Sequence, residues 1–109
     1  MARINYVELA VGDIGTAKAF YETAFGWTLA DFGPDYAATT TGDVDLGLQS
    51  DEAAVPLPVI DVSGLDAWPD RVIAAGGTIT RPIFSFPGGR RFHFRDPAGN
   101  ELAVTEPTH

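Results

Sequence analysis

The sequence predicts an α+β fold made of two βαβββ modules, and three observations carry that prediction. Apolar residues alternate over short segments and recur at helical spacing over two longer ones. Glycine, proline, asparagine and aspartate punctuate the chain at the ends of these segments. The second half repeats the element order of the first: Val62 lies 51 residues after Val11, and the same spacing joins Ile14 to Leu65, Tyr21 to Val72, Ala24 to Ala75 and Gly26 to Gly77. A repeated strand-helix-strands unit cannot bury its own sheet face alone, so the two are expected to pair within one domain over 1–109, module 1 covering about 3–50 and module 2 about 57–106.

Ile4 to Val11 alternates as a strand, with Val7, Leu9 and Val11 on the core side and Tyr6, Glu8 and Ala10 on the other. Gly12-Asp13-Ile14-Gly15 breaks it, Asp13 is the expected N-cap, and Ala17, Phe20, Tyr21, Ala24 and Phe25 form the stripe of a helix that Gly26 closes. Trp27–Phe32, Tyr36–Thr41 and Val44–Gln49 read as three strands, separated by Gly33-Pro34-Asp35 and Gly42-Asp43. Ser50 to Pro56 reads as a linker.

The second module begins with a strand over Leu57–Val62. Asp66 is then the expected cap of a helix with Pro69 in its first turn, Leu65, Trp68, Val72 and Ala75 as buried stripe, and Gly76-Gly77 as stop. Thr78–Phe86 is a strand whose Pro82 implies an edge or a bulge. Pro87-Gly88-Gly89 turns the chain into Arg90–Arg95, Pro97-Ala98-Gly99-Asn100 turns it again, and Leu102 and Val104 resume the alternation before a tail from Thr105 to His109.

Composition narrows the function classes. The chain has 109 residues, 45% of them apolar, and no cysteine, which removes disulfides, thiolate nucleophiles and thiolate metal sites. No apolar run is long enough for a membrane span, and Met1-Ala2-Arg3-Ile4 lacks a secretory core, so a cytoplasmic address is expected. A net charge of −8 repels nucleic acid and anionic membranes, and favours a cationic small-molecule ligand. Neither a phosphate loop nor a Rossmann fingerprint is present.

Glu8-Leu9-Ala10-Val11-Gly12-Asp13, Ala19-Phe20-Tyr21, Phe25-Gly26-Trp27, Ala75-Gly76-Gly77 and Asp96-Pro97-Ala98-Gly99-Asn100 together resemble the vicinal oxygen chelate superfamily, also called the glyoxalase/bleomycin-resistance/extradiol-dioxygenase family. The resemblance covers nearly the whole chain. It implies paired βαβββ modules curling into a half-open barrel around a ligand cavity, usually in a homodimer. Metal-dependent members carry their ligands on the first and last strand of each module, at positions that correspond here to Tyr6, Leu46, Leu57 and Ala103. Leucine and alanine offer no lone pair and a neutral tyrosine is a poor ligand for a divalent ion, so no metal or other cofactor is expected.

The candidate functional residues are therefore other polar and aromatic groups on the ligand side. Glu8 shares a face with Tyr6, Asp61 with Leu57, and Glu101 with Ala103. Glu8 is a candidate general base or cation acceptor, and His93, between two arginines, a candidate proton shuttle. Arg91 shares the face of His93 and is a candidate carboxylate or phosphate clamp, while Arg90 points the other way. The family geometry implies Trp27, Tyr36 and Phe92 as aromatic walls for a flat ligand. Three functions follow: metal-independent binding of a small aromatic or cationic molecule; a metal-free lyase or isomerase of small carbonyl metabolites with Glu8 or His93 moving the proton; and a metalloenzyme whose ligands have moved to Glu8, Asp61, His93 or Glu101.

Overall fold

A computed structural model describes residues 2–51 and 55–108. The centre of the expected linker and the end of the expected tail, residues 52–54 and 109, lie outside the described residues. The chain divides into two units, Asn5–Leu57 and Pro58 onward, the second also taking in the N-terminal residues up to Ile4. Each is a four-stranded βαβββ module. No helix among the described residues is long and apolar enough to cross a membrane.

In the first module, β1 (Arg3–Val11) is followed by helix α1 (Ile14–Phe25) and strands β2 (Ala30–Asp31), β3 (Tyr36–Ala38) and β4 (Asp45–Ser50), in the order β2-β3-β4-β1 with β1 parallel to β4. Leu29, Ala37 and Leu48 are buried beneath α1, with Leu9, Val11, Ile14, Ala17, Tyr21 and Leu46 packed against them. This is the expected face of β1. Asp13 stands at the N-cap but its carboxylate receives the hydroxyl of Thr16 instead of capping a backbone N–H. Gly26 closes α1 in the left-handed conformation, φ 71°, its N–H bonded to the Glu22 carbonyl.

Two expectations fail here for physical reasons. Phe20 and Phe25 are not in the buried stripe: they are 58% and 59% exposed, because Ile14, Ala17 and Tyr21 already cover the sheet. The strand expected over Trp27–Phe32 shrinks to Ala30–Asp31, since the N–H of Leu29 is taken by the Glu22 carboxylate at 3.1 Å and Trp27 stacks on Tyr21 and Phe25. Similarly, β3 stops at Ala38. The Asp45 carboxylate gathers the Thr39 and Thr41 hydroxyls and the N–H groups of Thr41 and Gly42, each at 2.8–3.0 Å, and builds the next turn from them.

The second module has β5 (Leu57–Asp61), a 3-10 turn (Leu65–Ala67) running into α2 (Trp68–Ala74), then β6 (Thr78–Phe86), β7 (Gly89–Arg95) and β8 (Glu101–Pro107), in the order β5-β8-β7-β6 with β5 parallel to β8. The topology of the first module is thus repeated. Val62, Leu65, Phe92 and Val104 are buried, with Trp68, Val72 and Phe94 among the residues packed on them. Asp66 does not cap the helix; it forms a two-pronged contact with Arg90, 3.1 and 3.0 Å, which also reaches Glu106. Ala75 is exposed and drops out of the expected stripe. Pro82 falls in a register irregularity between Arg81 and Phe84 of the end strand β6, so both readings of that proline hold. β8 runs to Pro107, three residues into the expected tail.

The Asp96-Pro97-Ala98-Gly99-Asn100 motif is a carboxylate-built turn. Asp96 accepts the N–H groups of Ala98 and Asn100, both at 2.9 Å, and the Asn100 side-chain amide at 3.0 Å, while Gly99 takes φ 95°. These bonds to the ionised form hold the Asp96 carboxyl below its usual range.

Candidate functional site

In each module one sheet face is covered by the helix, and the candidate polar groups lie on the face turned away from it. Strand parity fixes their positions. On the first module, Tyr6 and Glu8 of β1 stand beside Asp45 and Gly47 of β4, and Tyr36 of β3 beside Gln49. Glu8 is 8% exposed, and its Oε2 accepts the Tyr36 hydroxyl at 3.1 Å. The Tyr6 and Tyr36 hydroxyls are themselves hydrogen-bonded. Each phenol has one proton, so with Tyr36 donating to Glu8, Tyr6 supplies the proton between the rings. Burial, reinforced by Tyr6 and Glu8, drives the Tyr36 phenol far above its ordinary range and keeps it a neutral donor.

Gly47 makes this arrangement possible. A Cβ there would stand 2.1 Å from both tyrosine hydroxyls. The two rings fill the space that any side chain at position 47 would need. The signal for it in the sequence was a glycine between Leu46 and Leu48 inside a strand, where a close approach is a standard reason for glycine.

The same register corrects one expectation from the family pattern. Leu46 does not lie on the ligand side: it pairs with Val7 and packs into the core under α1. The topological counterpart of Ala103, which pairs with Val59, is Gly47, which pairs with Glu8. Counting four residues from the turn glycine, as from Gly99 to Ala103, falls one residue short after Gly42, and one residue in a strand changes the face.

On the second module, Asp61 of β5, Ala103 and Thr105 of β8, and Arg91 and His93 of β7 share the face away from α2, with Thr105 paired to both Asp61 and Arg91 and Ala103 paired to His93. Glu101 lies at the strand end, its carboxylate accepting the Thr80 hydroxyl at 3.0 Å and standing 3.5 Å from His93 Nδ1. His93 is 9% exposed, and its Nε2 is buried with no hydrogen-bond partner. Burial, then the charge of Arg91, lowers the His93 pKa, with Glu101 opposing, so the ring is neutral near pH 7. With Nδ1 turned to the carboxylate, the proton is assigned to Nδ1 and the lone pair to Nε2.

Two further residues join this group. The Arg81 guanidinium lies 3.7 Å over the ring of Phe84, and Phe84 is 5.8 Å from the His93 ring. Arg91 lies 5.4 Å from Phe84 and from Phe86. Arg81 had no signal in the sequence, because the irregularity at Pro82 breaks simple alternation.

Two predicted aromatic walls stand elsewhere. Phe92 is fully buried in the core beneath α2, one position out of phase with His93. Trp27 belongs to the helix layer, stacked on Tyr21 at 5.7 Å, apart from Tyr6 and Tyr36. An open depression of about 510 Å³ lined by Val11, Asp13, Thr16, Phe20 and Tyr21 also lies along α1, away from the polar face.

The metal positions can now be tested on their chemistry. Corrected for register they are Tyr6, Gly47, Leu57 and Ala103, three without a donor atom and one a phenol already bonded to Tyr36. They do not fit a divalent ion. Among the described residues, no three His, Asp or Glu side chains form a metal-holding group elsewhere.

Repeated βαβββ modules, each with a helix on one face and polar groups on the other, define an α+β protein of the paired-module class. The family model of the Glyoxalase/Bleomycin resistance protein/Dioxygenase superfamily matches residues 3–104, and the chain belongs to that superfamily. It is 29% identical over 94% of its length to the anthracycline biosynthesis protein DauV of Streptomyces sp. strain C5, and 28% identical over 92% to the putative glyoxylase CFP32 of Mycobacterium bovis. It spans 41% and 44% of those relatives, less than half their length. The fold matches a superfamily member from Vibrio splendidus 12B01 with TM-score 0.77 at 19% identity, covering 97% of this chain and 99% of that one. It also matches methylmalonyl-CoA epimerase of Mycobacterium tuberculosis with TM-score 0.76 at 20% identity, over 97% and 88%. At such identities the structures establish the fold alone.

Proposed function

We propose that the chain is a small-molecule-binding protein of the glyoxalase/bleomycin-resistance type that works without a metal ion and holds a small aromatic or cationic ligand. The observation that carries this reading is the buried Glu8 carboxylate, held by Tyr36 and backed by Tyr6 where relatives bind metal. A carboxylate out of water attracts positive charge far more strongly than one in it. The net charge of −8 adds long-range attraction for cations. The likeness to DauV supports a flat ligand, because anthracyclines are fused-ring aromatic molecules. Calorimetry with a panel of planar aromatic cations tests the reading. Sub-millimolar binding that weakens about tenfold in Glu8→Gln is expected; no binding tighter than millimolar across the panel would overturn it.

A second reading, metal-free lyase or isomerase chemistry on a small carbonyl metabolite, is favoured by the neutral, buried His93 with its Nε2 lone pair. Turnover of a panel of small hydroxycarbonyl compounds, abolished by His93→Gln or Glu8→Gln, would establish it. Turnover unaffected by both changes would remove these residues from the chemistry.

A further inference from the structure

We infer that the face of the second module turned away from α2 binds a small aromatic hydroxy acid, with the Arg81 guanidinium taking the carboxylate and Nε2 of His93 accepting the hydroxyl proton. This inference rests on the reading of the chain as a small-molecule binder, but not on a cationic ligand or on Glu8. Three independent observations lead to it. The first is the state of Arg81. Its guanidinium is stacked on Phe84 at 3.7 Å, and among the described residues it forms no ion pair, in a chain with 15 acidic and 7 basic residues. Stacking occupies one face of the guanidinium and leaves its in-plane N–H fork for a carboxylate, whose two oxygens match that geometry.

The second observation is His93. A buried polar atom with no partner is uncommon in a folded protein and calls for a specific reason. Nε2 of His93 is such an atom, on a residue 9% exposed. With the proton on Nδ1 toward Glu101, Nε2 needs a donor, and a hydroxyl is the simplest small-molecule donor. The third is the register. Arg81 and His93 are cross-strand partners on β6 and β7, so their side chains start from neighbouring points, and one ligand with adjacent carboxylate and hydroxyl groups can meet both. Phe84, between Arg81 and His93, and Phe86, near Arg91, supply flat apolar surface for an aromatic ring.

The probes are mandelate, which has the carboxylate, the hydroxyl and the ring, and phenylacetate, which lacks only the hydroxyl. Calorimetry on the full chain should show mandelate binding about tenfold more tightly than phenylacetate, because an unmet buried acceptor discriminates against a ligand without the donor. In His93→Phe the two affinities should become equal. Arg81 is exposed, so Arg81→Gln should fold normally and weaken both ligands about tenfold. A saturating planar aromatic cation should leave mandelate binding unchanged, which separates this site from the cation reading. Equal affinities in the unaltered protein, affinities for both probes no tighter than millimolar, or full retention of mandelate binding in Arg81→Gln would each overturn the inference.

Discussion

The two modules share one topology and carry opposite chemistry on their polar faces. In each, a parallel pair of first and last strands is flanked by two antiparallel ones and covered by a helix. The first module then presents two phenols and a carboxylate over a bare glycine, while the second presents a histidine and two arginines around a phenylalanine ring beside an alanine. The repeat is therefore a property of packing. Positions under the helices must stay apolar to bury the sheet, whereas the opposite face is free to change chemistry.

The sharpest test of the two-face description is Phe92. As a core residue at 0% exposure its replacement by alanine should cost about 3–5 kcal/mol in urea unfolding. A near-neutral effect would put it back on the ligand side. Next comes Gly47, where alanine would collide with both tyrosine hydroxyls and should cost about 1–3 kcal/mol as overpacking. Most of that loss should return when Tyr6 and Tyr36 are both replaced by phenylalanine; an unchanged loss would mean that the hydroxyls are not what crowds the site. At the matching position of the second module, Ala103→Gly should cost only about 0.5–1 kcal/mol, because there a Cβ is already accommodated. Tyr36→Phe, which removes a donor from a buried carboxylate, should cost about 1–2 kcal/mol, and no loss would show that Glu8 is held by other groups.

Much of this was legible in the sequence, and what was not has definite causes. The β1 face, α1 with its Gly26 cap, the repeat and the Asp96–Asn100 turn follow from local pattern, since alternation and turn chemistry act over a few residues. The strand at Trp27–Phe32 misled because an aromatic, β-prone run was claimed instead by the end of α1 through Glu22 and Tyr21. Phe92 misled because the family geometry implied it as a ligand wall, although its alternation with Arg91 and His93 sets it on the opposite, core face. Leu46 misled because a turn in the first module is one residue out of step with its counterpart, which no count from the turn glycine reveals. Glu8, Tyr6 and Tyr36 were each named as ligand-side residues; their direct contact through Gly47 needed the three-stranded register.

The smallest expected effect concerns pH. His93 is the group whose folded pKa lies below the unfolded value of 6.5, through burial and the charges of Arg91 on its own strand and Arg81 on β6, opposed by Glu101 on β8. The unfolded chain therefore takes up this proton first, so its contribution to stability is complete above about pH 6.5 and declines as pH falls below it. Unfolding free energies measured between pH 7 and 5 should fall less in His93→Gln than in the unaltered protein, and parallel profiles would contradict the assignment.

The proposed function has protein side chains bind the ligand where metal-dependent relatives use a metal. Calorimetric titration with an aromatic cation, before and after exhaustive chelation and with elemental analysis of the same sample, addresses it directly. Unchanged affinity at negligible metal content is the predicted result. Loss of binding on chelation, restored by a stoichiometric divalent metal, would contradict it.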